Sequence, residues 1–395
     1  MLIRIPINDL KFCLSIAFSA TLTNKNRPIL NNVLLTIEQQ FTEDGKPPRF
    51  SGKLSAHDGD VTVSCGLHNI EVDGQITARQ FSVLLPPVVQ SIVNELPQAH
   101  SVELHVSEGS VQNITLVGGM GRFRLSTADP AEFPPTNVAS GFEADIEVDG
   151  ALLQRAIARV LPACDQDQTR FALGCVLFHL SGVSDTLSLV TTDGRRLHVN
   201  DIPYTVNDND LVERWKMILV PVAAAKLLAK IAKDSPAVKL RAEGSTLHAE
   251  GLGIAVECRL NAGRFPKWEA VIPRTSQMIE LETQAFLKSL RAAAATVGKD
   301  EDNATLAFGT INGEGHLKIV IENADGNASV DCPLPQPVKP WTTTLRAMYV
   351  TQALSAMAAD EPVEMHAPED AGGAVRLHQM ACQFTAVIMP IDVPE

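Results

Sequence analysis

Residues Pro221–Ala242 read PVAAAKLLAKIAKDSPAVKLRA and predict a helix with two different faces, followed by a strand. Apolar residues recur at helical spacing along one side and must pack on the rest of the protein: Ala224, Leu227, Leu228 and Ile231. Basic residues recur along the other side: Lys226, Lys230 and Lys233. Pro221 suits the first helical turn, and Pro236 is expected to end the helix before the alternating segment that begins at Val238.

This helix-then-strand unit occurs three times. The strands share the pattern V-x-[L/M]-[H/R] and begin at Val102, Val238 and Val363, at intervals of 136 and 125 residues. A repeat of that length is a whole domain, because solenoid repeats are much shorter. Asp-Gly dipeptides at residues 58, 193 and 325 keep a similar interval and are expected to form hairpin turns. We therefore predict three domains, spanning residues 1–140, 141–275 and 276–395.

Each third of the chain is expected to contain two helices and several alternating strands. The helices are predicted within residues 6–21, 86–96, 147–163, 221–233, 282–299 and 346–360. Two helices packed on an antiparallel sheet are the α+β solution for such a pattern. The predicted fold class is therefore α+β, with three similar domains.

The charges divide between these helices and the remaining residues. The chain carries a net charge of −13, which argues against indiscriminate binding of nucleic acid. The six helical spans nevertheless hold ten Lys and Arg against six Asp and Glu, whereas all other residues hold 23 against 40. An acidic body with basic helices would hold a polyanion at the helices alone. The alternative interpretation is that these lysines only form solvated helix surfaces.

Composition limits the other classes of function. The seven cysteines are scattered without a CxxC pair, which is typical of reduced thiols rather than of a disulfide framework or a zinc site. The first residues lack the apolar core of a signal peptide, so a soluble, cytoplasmic protein without a membrane partner is expected. No GxxxxGK[ST], HExxH or GxSxG motif occurs, and a thiol triad of Cys164, His179 and Asp193 has no local signature. We therefore expect no catalytic residue, no metal and no cofactor.

Six motifs, in this order along the repeat, resemble the bacterial sliding clamp family, the beta subunit of the replicative DNA polymerase. They are RPILNNVLL from Arg27, RFRLSTADPAEFP from Arg122, RFALGCVLF from Arg170, VTTDGRRL from Val190, RFPKWEAVIP from Arg264 and VIMPI from Val387. The resemblance covers essentially the whole chain.

The resemblance implies a DNA clamp fold in which two copies form a head-to-tail homodimer, a ring of six domains around double-stranded DNA. Such a ring is a processivity factor that holds DNA independently of its sequence, without nucleotide or metal. The resemblance also implies a pocket that binds short peptides of the replicative polymerase, the clamp loader and other DNA enzymes. Its apolar character, with an adaptable methionine, suits short hydrophobic motifs.

The resemblance and the basic stripes assign three sets of residues. The predicted DNA contacts are Lys25, Arg27, Arg155, Arg159, Lys226, Lys230, Lys233, Lys288 and Arg291, with the choice between Lys25 and Arg27 left open. The predicted peptide pocket comprises Arg170, Leu173, Thr192, Gly194, Arg196, Leu197, Pro266, Val271, Tyr349, Val387, Met389, Pro390 and Ile391. The predicted dimer interface comprises Arg122, Phe123, Arg124 and Leu125, facing an edge near residues 325–331.

The sequence departs from the family pattern at three places. Arg195 stands where many members have His, Ala270 replaces a larger residue, and the tail continues to Asp392–Glu395 where relatives often end in a basic residue. A non-catalytic tandem-domain scaffold is the alternative function. It explains the repeat but leaves the basic helices without a role.

Overall fold

The computed structural model describes the chain except for residues 22–26, 41–48, 74–79, 97–99, 107–112, 137, 168–170, 182–184, 207–210, 296–301, 324–325, 335, 371 and 392–395. The chain divides into two compact units. One consists of Met1–Ala151 with Lys226–Arg259, and the other of Leu152–Ala225 with Leu260–Glu395. The central third therefore contributes to both units, and the predicted boundaries near residues 140 and 275 stay a prediction.

The described elements follow a similar order in each third of the chain, and the central third has a third, four-residue helix, α4 (Leu211–Arg214). The first third holds β1 (Leu2–Pro6), α1 (Ile7–Ala17), β2 (Val33–Gln40), β3 (Arg49–His57), β4 (Val61–Leu67), β5 (Glu71–Asp73), β6 (Gln80–Leu85), α2 (Val88–Glu95), β7 (Ser101–Val106), β8 (Asn113–Gly118) and β9 (Gly121–Ser126). The central third holds β10 (Ile146–Asp149), α3 (Gly150–Val160), β11 (Cys175–Leu180), β12 (Thr186–Thr192), β13 (Arg196–Pro203), β14 (Thr205–Val206), α4 (Leu211–Arg214), β15 (Ile218–Pro221), α5 (Val222–Ala232), β16 (Ala237–Glu243), β17 (Thr246–Gly251) and β18 (Ile254–Arg259). The last third holds β19 (Thr275–Glu282), α6 (Thr283–Ala294), β20 (Asn303–Ile311), β21 (Glu314–Asn323), β22 (Gly326–Leu334), β23 (Trp341–Arg346), α7 (Ala347–Ser355), β24 (Pro362–Pro368), β25 (Val375–Gln379) and β26 (Phe384–Ile388).

The opening stretch forms the predicted helix and strand, α5 and β16. The apolar stripe is buried at all four of its positions: Ala224, Leu227, Leu228 and Ile231. The helix begins one residue later than expected, because Pro221 is the last residue of β15 and pairs with Cys175. The other apolar stripe of the central third, on α3, is also fully buried: Leu153, Ala156, Ile157 and Val160.

The repeated V-x-[L/M]-[H/R] strand has the same partner in each third. It pairs with the strand that opens that third, in the registers Ile3↔Leu104, Val148↔Val238 and Leu281↔Val363. The apolar positions of the pattern face the core, because alternate residues of a strand point to one side. The repeated sequence therefore marks the strand that pairs with the opening strand of each third. The helices and antiparallel sheets confirm the α+β fold class.

Strands of different thirds also share sheets within each unit. In the first unit the sheets run β5-β1-β7-β8-β9 and β10-β16-β17-β18-β4-β3-β2-β6, so β18 pairs with β4. In the second unit they run β15-β11-β12-β13-β26-β25-β24-β19 and β22-β21-β20-β23, so β13 pairs with β26. Strands β9 and β22 each end a sheet. All of these pairings are antiparallel.

Two of the three Asp-Gly turns lie in the described residues. Gly59 and Gly194 both have positive φ, at 109° and 85°, in the hairpins β3–β4 and β12–β13. Asp325 lies outside the described residues. No helix in the described part of the chain is long and apolar enough to span a membrane.

Candidate functional site

The hairpin between β12 and β13 forms one wall of the candidate site. Asp193 Oδ1 accepts hydrogen bonds from the backbone N–H groups of Arg195 (2.9 Å) and Arg196 (3.0 Å). Thr192 Oγ1 donates to the Arg196 carbonyl at 2.6 Å and accepts from the Gly194 N–H at 3.1 Å. These bonds close the turn on both sides, so its backbone is held rigidly.

A cavity of about 240 Å³ lies beside this turn. It is lined by Leu173, Thr192, Gly194, Arg195, Arg196, Leu197, Pro266, Trp268, Val271, Val387 and Met389. Leu197 and Val387 are buried at its floor, whereas Val271 and Met389 remain 44% and 45% exposed at its rim. A pocket with an apolar floor and exposed apolar rim residues can bind short hydrophobic segments.

Strand pairing brings these distant residues together. Leu197 in β13 is the register partner of Val387 in β26. Beyond the strand, the Met389 N–H donates to the Arg195 carbonyl at 2.9 Å, which places Met389 next to the turn. Nine of the thirteen residues predicted for the pocket therefore line one cavity. That a peptide occupies it stays a prediction.

Arg196 is a structural part of the wall. Its side chain is only 7% exposed and forms a 2.9 Å ion pair with Asp193. Its other guanidinium nitrogens donate to the Pro162 carbonyl and to Gln352 Oε1. The Tyr349 ring lies 4.2 Å below the guanidinium. Because each guanidinium nitrogen has a partner and one face stacks on Tyr349, Arg196 stabilises the wall of the cavity.

The other predicted pocket residues lie elsewhere. Tyr349 lines a second, open cavity of about 420 Å³, together with Asp165, Asp167, Asp193, Gly194 and Arg195. Ile391 donates its N–H to the Thr344 carbonyl at 2.9 Å, so it and Pro390 continue past the cavity. Arg170 lies outside the described residues.

Sequence reasoning missed two lining residues, Trp268 and Arg195. Trp268 lies inside the motif RFPKWEAVIP, and its ring meets that of His179 edge-on at 5.9 Å. Its size and its position between Pro266 and Val271 were signals that could have assigned it. Arg195 was noted only as a departure from the family pattern.

The residues of the imagined thiol triad have other partners. Cys164 Sγ donates to the Leu173 carbonyl at 3.1 Å, and His179 Nδ1 lies 2.9 Å from the Lys216 carbonyl. Asp193 is paired with Arg196. Within the described ranges, no group of three or more His, Cys, Asp and Glu residues is arranged to hold a metal ion.

The described residues predicted to contact DNA are exposed except for Arg159, which is half-buried. The exposed ones are Arg27, Arg155, Lys226, Lys230, Lys233, Lys288 and Arg291. Three of the described cations bond to neighbouring helices or turns: Lys230 to the Ser15 carbonyl and Ser19 Oγ, Arg159 to the Ala356 carbonyl, and Arg291 to Ser355 Oγ. Burial lowers the pKa of Lys230. Lys25 lies outside the described residues.

The predicted dimer residues lie on the edge strand β9. Arg122 and Arg124 are exposed, whereas Phe123 and Leu125 on the other side of the strand are partly buried. This strand has β8 on one side and ends the sheet on the other. It therefore offers unpaired backbone groups to another strand.

Comparison with known proteins agrees with this architecture. Residues 147–267 match the family model of the DNA polymerase III beta subunit, central domain. The beta sliding clamp of Synechococcus elongatus is 23% identical over 393 residues, 98% of each chain. The solved beta sliding clamp of C. crescentus (TM-score 0.82, 22% identity, 100% of this chain and 99% of that chain) and the DNA polymerase III subunit beta of Pseudomonas aeruginosa (TM-score 0.82, 21% identity, 100% of both chains) have the same fold.

The three-part α+β chain thus has the fold of the bacterial sliding clamps over its whole length. The family match in the central third and the full-length similarity to curated beta sliding clamps agree with the resemblance that the motifs indicated.

Proposed function

We propose that two copies of this chain form a closed ring that slides on duplex DNA and tethers a replicative polymerase, without catalysing a reaction themselves. The observation that carries this proposal is the pairing of strands from successive thirds. The fourth strand of the first third, β4, pairs with the last strand of the central third, β18. In the same way β13 pairs with β26. In both pairings the fourth strand of one third pairs with the last strand of the following third. In the described chain, the fourth strand β22 and the last strand β9 have no such pairing, so each can pair with a second copy.

The two internal pairings also define a register. The residue three positions after the Asp of the turn is paired in both, as Val61↔Cys258 and Arg196↔Ile388. The hairpins β8–β9 and β17–β18 have the same length, with Gly118↔Gly121 and Gly251↔Ile254 in register. Leu125 therefore takes the position of Cys258.

Applied to a second copy, this register pairs Leu125 with Ala328. It then places Phe123 opposite Val330 and Arg122 opposite Asp331. An Arg and an Asp directly opposite each other favour the pairing. Two such junctions close a ring from two copies, because each chain offers one β9 and one β22.

The assembly is tested by Phe123→Asp, with Met120→Asp as the matched control. A carboxylate at position 123 would be buried in the junction without a partner. This should weaken the dimer by about 2 kcal/mol or more and shift the protein to a monomer. Met120 is fully exposed at the tip of the same hairpin, so Met120→Asp should stay dimeric. Light scattering after size exclusion at low concentration measures the mass. A dimeric Phe123→Asp protein would exclude β9 as the junction.

The exposed helix cations are proposed to contact the DNA backbone. Helix α5 carries no aromatic or amide residue that could read base edges, so binding at this helix should be independent of sequence. Each phosphate contact should contribute about 0.9 to the salt slope of binding. We therefore expect Lys226→Ala/Lys233→Ala to lower the slope by roughly one to two.

The control is Lys239→Ala/Lys318→Ala, which removes the same charge from exposed strand positions. Equal slopes for both double variants would mean that net charge, and not the helix face, governs binding. The ring itself is tested by loading the protein on closed circular DNA and then linearising the DNA. Loss of the protein upon linearisation supports encirclement, whereas equal retention on both forms favours a scaffold without a ring.

The apolar cavity beside the β12–β13 turn, called the cleft below, is proposed to bind a short peptide of the polymerase. Its lining residues belong to the central and last thirds. Clamp-binding peptides from the polymerase and the clamp loader would insert apolar side chains between Leu173 and Met389. A fluorescent peptide that binds wild type but not Leu173→Ala/Met389→Ala would support this, since buried anchors cost about 2 kcal/mol on truncation.

A further inference from the structure

Two neighbouring arginines in the turn have opposite surroundings. Arg196 is buried and occupied by Asp193, Pro162, Gln352 and Tyr349. Arg195 is exposed. Within the part of the chain that the structure describes, no carboxylate oxygen lies within 4.0 Å of its guanidinium nitrogens, whereas Asp193 lies 2.9 Å from Arg196. One arginine is therefore structural and the other is available to a ligand.

The backbone of Arg195 is nevertheless fixed. Its N–H donates to Asp193 Oδ1 at 2.9 Å, and its carbonyl accepts from the Met389 N–H at 2.9 Å. Arg195 lines both the apolar cavity and the open cavity beside it. The side chain is thus attached to a fixed part of the backbone on the border between the two cavities.

We propose that Arg195 determines which peptides the cleft prefers, by binding a carboxylate next to the apolar side chain that fills the cavity. This inference rests on the proposed function of the cleft. The preferred partner is a short segment with an Asp or Glu adjacent to its apolar residues. An arginine suits this role because its planar guanidinium can bind a carboxylate through two hydrogen bonds.

The acidic residues of the open cavity are weaker candidates for selecting a peptide. Asp165 Oδ1 already accepts the Asp167 N–H at 2.9 Å, and both Asp193 oxygens are used by the turn and by Arg196. Neither Asp165 nor Asp167 lines the apolar cavity, whereas Arg195 does. Gly194 and Arg195 line both cavities, and of these two residues Arg195 carries the charge.

The test uses two fluorescent peptides that share a central pair of leucines and differ only in one flanking residue, Asp or Asn. Wild type should bind the Asp peptide about fivefold more tightly, the size of an exposed ion pair. Arg195→Gln should bind both peptides equally. Asp167→Asn, the matched control, should keep the preference for the Asp peptide. The preference should also shrink at 0.5 M salt.

Several results would overturn the inference. They are equal binding of both peptides by wild type, a preference that survives in Arg195→Gln, or a preference for a Lys-flanked peptide that Asp167→Asn removes. These results leave the cleft itself as the peptide site, provided that Leu173→Ala/Met389→Ala weakens both peptides. If wild type binds neither peptide, the proposed function of the cleft fails together with the inference.

Discussion

The turns at Asp58 and Asp193 share a backbone and differ in almost every side chain around it. In each, the Asp Oδ1 accepts two backbone N–H groups, at 2.9 and 2.6 Å in the first and at 2.9 and 3.0 Å in the second. In each, the carbonyl of the residue two positions after the Asp accepts an N–H from the adjoining third, Arg259 to Asp60 at 2.8 Å and Met389 to Arg195 at 2.9 Å. The fold therefore builds the same junction twice.

The side chains make only the second junction a candidate binding site. Where the second turn has Arg196, Leu197 and Met389, the first has Val61, Thr62 and Arg259 at the corresponding positions. A buried valine needs no ion pair, and a threonine and an arginine do not form an apolar floor. The comparison shows that the repeat supplies the geometry, whereas a few substitutions supply the site.

The largest difference in stability between the two junctions is expected when the Asp of each turn is replaced by Ala. Asp193→Ala leaves the Arg196 guanidinium buried without its carboxylate, which should cost about 3 to 5 kcal/mol in the free energy of unfolding. Asp58→Ala loses only the two backbone hydrogen bonds and should cost about 1 kcal/mol. Urea unfolding of both variants measures the difference. Equal losses would mean that the Asp193–Arg196 pair contributes no more than the turn itself.

The second largest difference should appear in the pH dependence of stability. Two residues beyond Arg196, β13 carries His198, whereas β4 carries the buried Val63. Burial lowers the pKa of His198 to about 4, and its Nδ1–H donates to the Arg159 carbonyl at 3.0 Å. The unfolded chain takes up this proton near pH 6.5 and the folded chain does not. Stability should therefore be lost as the pH falls from about 6.5 to 4, by up to about 3 kcal/mol.

Burial also lowers the pKa values of His366 and His378, so the contribution of His198 must be isolated. His198→Asn keeps a donor near the Arg159 carbonyl but cannot take up a proton. Unfolding curves at pH 7.5 and 4.5 should differ less for this variant than for wild type. An unchanged pH dependence would assign the effect to the other two histidines.

The sequence predicts those structural features that neighbouring residues determine, and it does not predict contacts between distant residues. The stripe of α5, the repeated strands and the turn at Asp193 follow from spacing and from the chemistry of Asp and Gly, so periodicity was enough to predict them. The pairing of Leu197 with Val387 joins residues 190 positions apart, and only the family resemblance indicated that the two meet.

The bonds of Lys230 to Ser15 and Ser19 show what periodicity alone cannot predict. The spacing placed this lysine on the polar side of α5, but its partners are the last turn of α1 and the segment after it. The assignment of Lys230 as a DNA contact thus remains a prediction with a competing structural role. The same holds for Arg159, which bonds to the Ala356 carbonyl.

The smallest effect is expected from making the first turn resemble the second with Asp60→Arg. Residue 60 is exposed and contributes backbone atoms to the junction, so the free energy of unfolding should change by no more than about 0.5 kcal/mol. The new cation would lie next to Arg259, which occupies the position of Met389 in the second junction, and no apolar floor would lie beside it. Combined with Leu173→Ala/Met389→Ala, it should therefore leave the Asp-flanked peptide unbound. Binding restored by Asp60→Arg in that background would show that a cation at the turn is sufficient, and that the apolar floor is not what distinguishes the two junctions.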